Sequence, residues 1–185
     1  AEFISYHDQE WSMPCKNDHR LFEKICLESF QSGLSWRTIL AKRDNFRAAF
    51  VNFDFTAIAR FTQADVERLL QDKGIVRHRG KIEAVINNAK QAQILVKEQG
   101  SLAAFFWSFE PNDADVAQPP SMSISETSIN LSKVLKKRGW KFVGPTTIFA
   151  FMQTIGLINA HEETCFMRKI ISEKRRVFLR PIQSQ

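Results

Sequence analysis

Apolar residues recur at helical spacing through most of the chain, and this pattern predicts a protein built from helices. The predicted helical segments are residues 20–30, 35–50, 55–61, 62–72, 81–100, 130–138 and 145–155. No segment alternates apolar and polar residues as a half-buried strand does, and no internal repeat is present. The pattern therefore predicts an all-α helical bundle, with residues 1–185 forming one domain that is long enough to bury a sizeable core.

Local signals mark several segment ends. Thr62 with Asp65 three residues later is an acidic variant of the capping box, and Pro145 stands at a favourable first-turn position. Residues 1–20 have weaker patterning and are predicted to form an irregular arm. Residues 108–128 are rich in Pro, Ser, Asp and Asn, which predicts the longest loop of the chain.

The net charge of +6 suggests a polyanionic partner, but the charge is unevenly distributed. Residues 166–185 contain six basic residues and one acidic residue, whereas the rest of the chain has 20 basic and 19 acidic residues. A nucleic-acid interaction would therefore depend on local basic clusters rather than on the total charge.

Other global features exclude some classes of protein. No apolar run reaches the 18 residues expected of a membrane-spanning helix, and the N-terminus does not resemble a secretory signal. The three cysteines, Cys15, Cys26 and Cys165, cannot form a full disulfide framework, which favours a reducing, cytoplasmic setting. The chain contains no Gly-rich phosphate loop, so no nucleotide cofactor is expected.

One carboxylate interrupts the most apolar predicted helix. Glu28 lies among its apolar residues, and the pattern then breaks at Gly33 before Leu34 and Trp36. A carboxylate and an aromatic side chain in such proximity suit a pocket that binds the edge of a flat ring and stacks on its face. On this stretch alone the favoured interpretation is structural: Glu28 points to solvent or caps a neighbouring helix, and Trp36 lies in the core.

A short basic connection links two predicted helices over about residues 62–97. Gly74 is expected to close the first helix in the left-handed conformation, and Gly80 to allow a close backbone approach at the start of the second. Three basic residues add charge at that helix N-terminus: Arg77, Arg79 and Lys81. Unpaired N–H groups and a partial positive charge make such a site suitable for phosphate, which favours a helix-hairpin-helix clamp on DNA. The alternative is an ordinary solvated helical hairpin.

Residues near both ends of the chain could together form a metal site. His161 and Cys165 are four residues apart, so on a helix they would share one side. Together with His7 they could supply three zinc ligands of N, N, S type, and Cys15 could be the fourth. A buried His–Cys pair without chemical importance is the alternative interpretation, and Cys26 is interpreted as structural.

Several collinear blocks resemble the 3-methyladenine DNA glycosylase I family, within the helix-hairpin-helix DNA glycosylase superfamily. These blocks are residues 6–11 (YHDQEW), 22–28 (FEKICLE), 33–36 (GLSW), 74–82 (GIVRHRGKI), 135–147 (LKKRGWKFVGPTT) and 151–165. The likeness extends over about residues 3–165, which is far more specific than any single motif.

The resemblance implies an enzyme of base-excision repair. Such a glycosidase hydrolyses the N-glycosidic bond of 3-methyladenine in alkylated double-stranded DNA, after the damaged base is flipped into an aromatic pocket. The motifs place no nucleophilic lysine, so the resemblance implies a monofunctional enzyme without lyase activity. The protein is also expected to be a monomer. The alternative is a non-catalytic protein that binds damaged or distorted DNA through the same clamp.

The resemblance also implies roles for particular residues. Glu28 would read the amino edge of the adenine, and whether it also activates water stays open. The implied base-binding residues are Tyr6 and Trp36 as stacking walls, with Phe3 and Trp11 lining the pocket. The implied wedge that fills the gap in the duplex consists of Gln31, Gly33 and Leu34.

The resemblance implies a structural zinc ion that ties the N-terminal arm to the C-terminal segment. His7, His161 and Cys165 match three of the four family ligands, and the fourth is a Cys upstream of Ala1. Two departures from the family pattern are expected to matter. Ser29-Phe30 should make the surface beside Glu28 more apolar, and the basic tail at 166–185 should contact phosphates in a salt-sensitive manner.

Overall fold

The structure of this chain is a computed structural model that describes residues 2–182. Within that range 62% of the chain is helical and no strand is present, so the all-α prediction is confirmed. The helices are α1 (Glu2–Gln9), α2 (Asp18–Gln31), α3 (Trp36–Ala41), α4 (Arg43–Ala49), α5 (Phe55–Ile58), α6 (Gln63–Gln71), α7 (Arg79–Gln99), α8 (Leu102–Trp107), α9 (Glu126–Lys137), α10 (Pro145–Thr154) and α11 (Phe166–Val177).

Helix α2 lies at the centre of the fold. It begins at the N-cap Asn17, whose side chain accepts a hydrogen bond from the Arg20 N–H, and residues 21–30 are all buried. It packs against α3, α7, α8 and α10. Because this helix has almost no solvent face, each charged residue on it must find a partner inside the protein or remain unpaired.

Phenylalanine rings fill much of the core around α2. The fully buried Phe30 ring lies 4.6 Å from the Phe46 ring, centroid to centroid, and both pack near Phe50. The sequence-based expectation that Phe30 makes the surface beside Glu28 more apolar is therefore wrong, since its side chain points into the core. The Ser29 hydroxyl instead lies 2.8 Å from the Ile25 carbonyl and 3.0 Å from the Phe142 carbonyl, and these two acceptors share its single proton.

The N-terminal segment is more regular than predicted. Residues 1–20 were expected to form an irregular arm, but α1 occupies Glu2–Gln9. Tyr6 is the buried residue of this helix, and its hydroxyl lies 2.8 Å from the Thr154 hydroxyl on α10. Tertiary packing through Tyr6 supports a helix whose own sequence pattern is weak.

Three segment boundaries also differ from the prediction. The helix predicted over 35–50 is two helices that meet at Lys42, which serves as the C-cap of α3 and the N-cap of α4. Helix α8 consists of six consecutive buried residues, a run without helical periodicity. Helix α9 begins at Glu126, inside the predicted loop, because Ser125 and Ser128 form a reciprocal capping box.

The basic C-terminal segment is folded rather than extended. Most of it forms α11, on which Arg175 is 1% exposed and bonded to Glu110, Asp115 and the Gly156 carbonyl. Arg180 pairs with the same Glu110 at 2.8 Å. The expectation that the tail contacts phosphates is therefore not supported for these two arginines, which hold α11 against the body. The last three residues, 183–185, lie outside the described part.

No helix within residues 2–182 combines the length and the hydropathy that crossing a membrane requires.

Candidate active site

A cavity of about 360 Å³ lies where α1, α2, α3 and α10 meet. Its lining residues are Phe3, Tyr6, His7, Trp11, Glu28, Gln31, Trp36, Ala150 and Gln153. The structure thus brings together all five residues predicted for the base pocket, although they come from separate parts of the sequence. Sequence reasoning did not assign the α10 wall, which Ala150 and Gln153 form.

Two aromatic side chains that pack against each other form part of the cavity wall. The ring centroids of Tyr6 and Trp36 are 5.3 Å apart, and the rings are tilted by 45°. The Trp36 indole N–H is buried and has no hydrogen-bond partner within the described chain. Phe3 is half exposed and lies on the outer wall. These surfaces suit a flat ring.

Glu28 is the carboxyl group in the lining of this cavity. It is 5% exposed, and within residues 2–182 it makes no hydrogen bond or ion pair. Burial raises the pKa of this carboxyl to about 8, while the nearby Lys24 ammonium acts in the opposite direction. A buried carboxyl without a protein partner is costly to ionise, so it is suited to a ligand that supplies the missing counter-charge.

Lys24 and Thr154 lie behind the cavity wall, and sequence reasoning missed both. The Lys24 ammonium donates to the Thr154 hydroxyl at 3.2 Å, and that hydroxyl is also the partner of Tyr6. Burial lowers the pKa of Lys24. The available signal was its position, since Lys24 precedes Glu28 by one helical turn on the most apolar helix.

The turn after α2 projects beside the cavity. Gly33 has φ +80°, in the left-handed region, and a Cβ at this position would meet no atom within 4 Å. Leu34 is 39% exposed. Its N–H donates to the Gln31 carbonyl at 2.7 Å, and the Gln31 amide donates back to the Leu34 carbonyl at 3.3 Å. The three residues predicted as a wedge therefore form one braced, exposed turn.

Helices α6 and α7 form a basic hairpin near this turn. The capping box at Thr62 and Asp65 is present as predicted. Gly74 is not left-handed, contrary to the prediction; a Cβ there would lie 3.0 Å from Asn45 and Asp72 atoms, so space rather than conformation requires glycine. The N-cap of α7 is His78, whose ring nitrogen accepts the Lys81 N–H at 3.1 Å.

The three basic residues of the hairpin have different environments. Arg77 is exposed, and within residues 2–182 it has no ion pair. Arg79 is also exposed and pairs with Glu67 at 2.8 Å. Lys81 is buried, and its ammonium donates to the carbonyls of Phe30 and Ser32 at 2.9 and 2.6 Å. The prediction that Lys81 contacts DNA is thus not supported by its orientation, because its charge anchors α7 to the end of α2.

His7, His161 and Cys165 converge on one point. Their potential ligand atoms lie within 4.8 Å of one another. The sulfur of Cys165 is 3.8 Å from Nε2 of His7 and 3.5 Å from Nδ1 of His161. The other nitrogens of the two rings meet Asp8, at 2.7 Å, and the Trp11 carbonyl, at 3.3 Å. Those outer contacts leave the inner nitrogens facing the sulfur, an arrangement that could hold a metal ion.

Two details of the metal prediction are corrected. His161 and Cys165 do not lie on a helix, because residues 161–165 form a turn before α11. Cys15 is not part of the cluster. Its backbone instead accepts the Trp107 indole N–H and donates to the Ile155 carbonyl, so Cys15 joins the N-terminal segment to the core.

The fold and the cavity together define a class: an all-helical protein with an aromatic pocket for a flat ring around a buried carboxyl, and a basic helical hairpin beside it. The family model for methyladenine glycosylases matches residues 1–169. The chain belongs to the methyladenine glycosylase family.

Named relatives and a solved structure agree with this assignment. The chain is 48% identical to DNA-3-methyladenine glycosylase 1 of Escherichia coli strain K12, over 88% of this chain and 89% of the relative. It is 44% identical to DNA-3-methyladenine glycosylase of Haemophilus influenzae, over 88% and 90%. A Tyr-to-Phe variant of a 3-methyladenine DNA glycosylase I, solved in complex with 3-methyladenine, superposes with a TM-score of 0.84 at 34% identity, covering 90% of this chain and 91% of that one.

Proposed function

We propose that the protein is a DNA glycosylase that releases 3-methyladenine from alkylated duplex DNA by hydrolysing the N-glycosidic bond. The observation that carries this proposal is the buried, unpaired Glu28 carboxyl in a cavity walled by Tyr6 and Trp36. The names of the relatives and the solved complex with 3-methyladenine support the same activity and the same base.

The chemistry of the lesion explains why this site suffices. Methylation at N3 leaves the adenine with a positive charge while it is joined to the sugar, so the base is already a good leaving group. When the bond between C1′ and N9 breaks, its electrons go to N9 and neutralise that charge. A water oxygen then bonds to C1′ and loses a proton, which leaves an abasic site. The enzyme must mainly recognise and extrude the base.

The cavity provides the energy for extrusion. Flipping a nucleotide out of the duplex costs a few kcal/mol, and less for a damaged base. Stacking on an aromatic side chain returns about 1–3 kcal/mol per base. Tyr6 and Trp36 provide the stacking surfaces, while Phe3 and Trp11 extend the lining. The hydrogen bond between the hydroxyls of Tyr6 and Thr154, and the Lys24 ammonium behind it, fix the position of the tyrosine wall.

Glu28 provides selectivity for the charged base. Its carboxylate accepts a hydrogen bond from the amino group of adenine and compensates the positive charge of the methylated ring. Since no side chain within residues 2–182 forms an ion pair or hydrogen bond with this carboxylate, the bound base is the partner that completes the site. An uncharged adenine offers less compensation, which favours the methylated base.

The duplex is held by the α6–α7 hairpin and the turn after α2, in the manner of a helix-hairpin-helix clamp. The N-terminus of the 21-residue helix α7 offers N–H groups to a phosphate, and the exposed Arg77 and Arg79 add charge there. The exposed Leu34 is positioned to enter the gap that the extruded nucleotide leaves.

A structural zinc ion fits the cluster of His7, His161 and Cys165. Tetrahedral zinc with usual bond lengths gives sulfur–nitrogen separations of roughly 3.6 Å, close to the observed 3.5 and 3.8 Å. These residues would hold α1 against the segment before α11, and the ion would supply cross-linking rather than chemistry at the base. We therefore expect a chelator to lower the unfolding temperature of zinc-loaded protein, and added zinc to restore it. An unchanged unfolding temperature in protein shown to contain zinc would contradict a structural role.

The test of the proposed function is release of base from methylated duplex DNA, with chromatographic identification of the freed base. The parent protein should release 3-methyladenine, and Glu28→Gln should not, while duplex binding is retained. Glu23→Gln, which changes a paired carboxylate on the same helix, is the matched control and should release the base. Tight duplex binding without release by the parent protein would instead indicate a non-catalytic binder of damaged DNA.

A further inference from the structure

Phe142 is an exposed aromatic residue in a disfavoured backbone conformation. It lies in the connection between α9 and α10 and has φ 56°, in the left-handed region. A bulky residue adopts that conformation only at a cost. Its side chain is 41% exposed. Core packing therefore does not account for the conformation.

Three buried side chains, one from each of three helices, hold this backbone: Ser29 of α2, Asn88 of α7 and Ser132 of α9. They donate to the carbonyl oxygens of three consecutive residues, 142, 141 and 143, at 3.0, 2.9 and 2.6 Å, respectively. Ser29 shares its one proton between this acceptor and the Ile25 carbonyl on its own helix. The Asn88 side chain also accepts the N–H of residue 141 at 2.9 Å. A strained conformation persists where its surroundings over-determine it, and these four hydrogen bonds do so here.

The ring lies against the start of α7. Its centroid is 6.1 Å from that of His78, the N-cap residue, in an edge-on arrangement. A Cβ placed on Gly80 would be 3.7 Å from the tip of the ring. On its other side the Phe142 carbonyl is held by Ser29, the neighbour of Glu28. Phe142 thus lies between the basic hairpin and the helix that carries the pocket carboxyl.

We propose that Phe142 packs against the duplex beside the extruded nucleotide, contacting the deoxyribose and the base face of a flanking nucleotide. Ser29 acts as a positioning residue for this contact. The inference rests on the proposed function and extends it to a DNA-binding residue outside the pocket. Extrusion of one nucleotide exposes apolar surface on its neighbours, and an aromatic side chain covers such surface.

Phe142→Gly separates this contact from any role in folding. Glycine adopts the left-handed region without strain, so the unfolding temperature should not fall, whereas the ring is removed. Affinity for a duplex with a tetrahydrofuran abasic-site analogue, measured by fluorescence anisotropy at fixed salt, should fall about tenfold. Phe166→Ala is the control, since Phe166 is a more exposed aromatic residue on α11, and its affinity should equal that of the parent protein.

Ser29→Ala tests the positioning role. This change removes the hydroxyl that holds the Phe142 carbonyl but leaves the ring in place. It should weaken duplex binding in the parent background and have no further effect in the Phe142→Gly background, because both changes act through the same contact. Equal effects in both backgrounds would overturn the positioning role.

The outcomes distinguish this inference from the proposed function. Parent-like affinity of Phe142→Gly, or an equal loss in Phe166→Ala, overturns the contact even if the parent protein releases 3-methyladenine. A parent protein that releases no base but loses affinity on Phe142→Gly overturns the glycosylase activity and supports the DNA contact. Release of base together with a loss specific to Phe142→Gly supports both.

Discussion

Two carboxylates on α2 differ in a way that separates a structural site from a functional one. Glu23 and Glu28 are five residues apart, and both are almost fully buried. Glu23 accepts hydrogen bonds from Arg20 and Arg47 at 2.8 Å each, whereas Glu28 has no such partner within the described chain. The arginines satisfy one charge inside the protein, while the cavity leaves the other for a ligand. Similar burial thus serves opposite purposes at the two positions.

The largest effect is expected where the unpaired carboxylate is removed. Glu28→Gln keeps the shape of the side chain but cannot compensate a positive charge, so single-turnover release of 3-methyladenine should fall by about 100-fold or more. Duplex affinity should change little, because Glu28 contacts the base rather than the phosphates. An excision rate close to that of the parent protein would contradict the role of Glu28 in excision.

The difference in stability between the parent protein and Glu28→Gln should depend on pH. Since burial raises the pKa of Glu28 to about 8, the folded state keeps its proton at pH values where the unfolded state has lost it. The unfolded state then binds fewer protons, so this group lowers stability as pH rises from about 4.5 to about 8, with no further change above. Urea titrations should show Glu28→Gln gaining stability over the parent protein by up to a few kcal/mol across that range. A constant difference would contradict the unpaired state of Glu28.

Removing the paired carboxylate should have the opposite consequence. Glu23→Gln removes the buried charged acceptor that Arg20 and Arg47 share and leaves them only their second partners, Glu10 and Asp44, so the free energy of unfolding should fall by about 1–3 kcal/mol. The two arginines are partly exposed, which keeps the loss below that of a fully buried pair. Excision per folded molecule should stay within about threefold of the parent rate. If Glu23→Gln abolishes excision in folded protein, the division between the two carboxylates is wrong.

A smaller effect is expected from the cation between them. Lys24 lowers the pKa of Glu28, so Lys24→Met should raise that pKa further and reduce the ionised fraction at pH 7. Excision by Lys24→Met should be several-fold slower at pH 7 and approach the parent rate at pH 9. Lys16→Met, which alters an exposed lysine, is the control. A deficit that is equal at both pH values would indicate that Lys24 acts only through its bond to Thr154.

The sequence predicted the parts of the molecule whose signals are local. The capping box of Thr62 and Asp65 and the apolar run around Glu28 depend on residues within a few positions, and both were located correctly. Helix α1 was missed because its stability depends on Tyr6 reaching Thr154, which is remote in the chain. The direction of side chains could not be predicted from the sequence either. Lys81 points inward because its ammonium bonds to the Phe30 carbonyl, and Phe30 points inward because its ring packs in the core.

The residues of the candidate site could be predicted from the sequence, but their hydrogen bonds and ion pairs could not. Resemblance to a family indicated Tyr6, Glu28 and Trp36, and these residues share one cavity. The position of Lys24, one helical turn before Glu28, was the one signal available, and it does not show what the ammonium contacts. Its meaning depends on Thr154, 130 residues away, and on the absence of a partner for Glu28 among the described residues.

The most direct test of this account is kcat/KM for release of 3-methyladenine from methylated duplex DNA, measured between about pH 5.5 and 9.5 for the parent protein and Glu28→Gln. Because kcat/KM reports ionisation in the free enzyme, we predict a rise with pH through a midpoint near 8, the pKa of Glu28, followed by a plateau. In Glu28→Gln that rise should be missing, and kcat/KM should lie about 100-fold below the plateau of the parent protein. A parent profile that falls above pH 8 would show that the protonated carboxyl is the active form, and would contradict the claim that an unpaired carboxylate receives the cationic base.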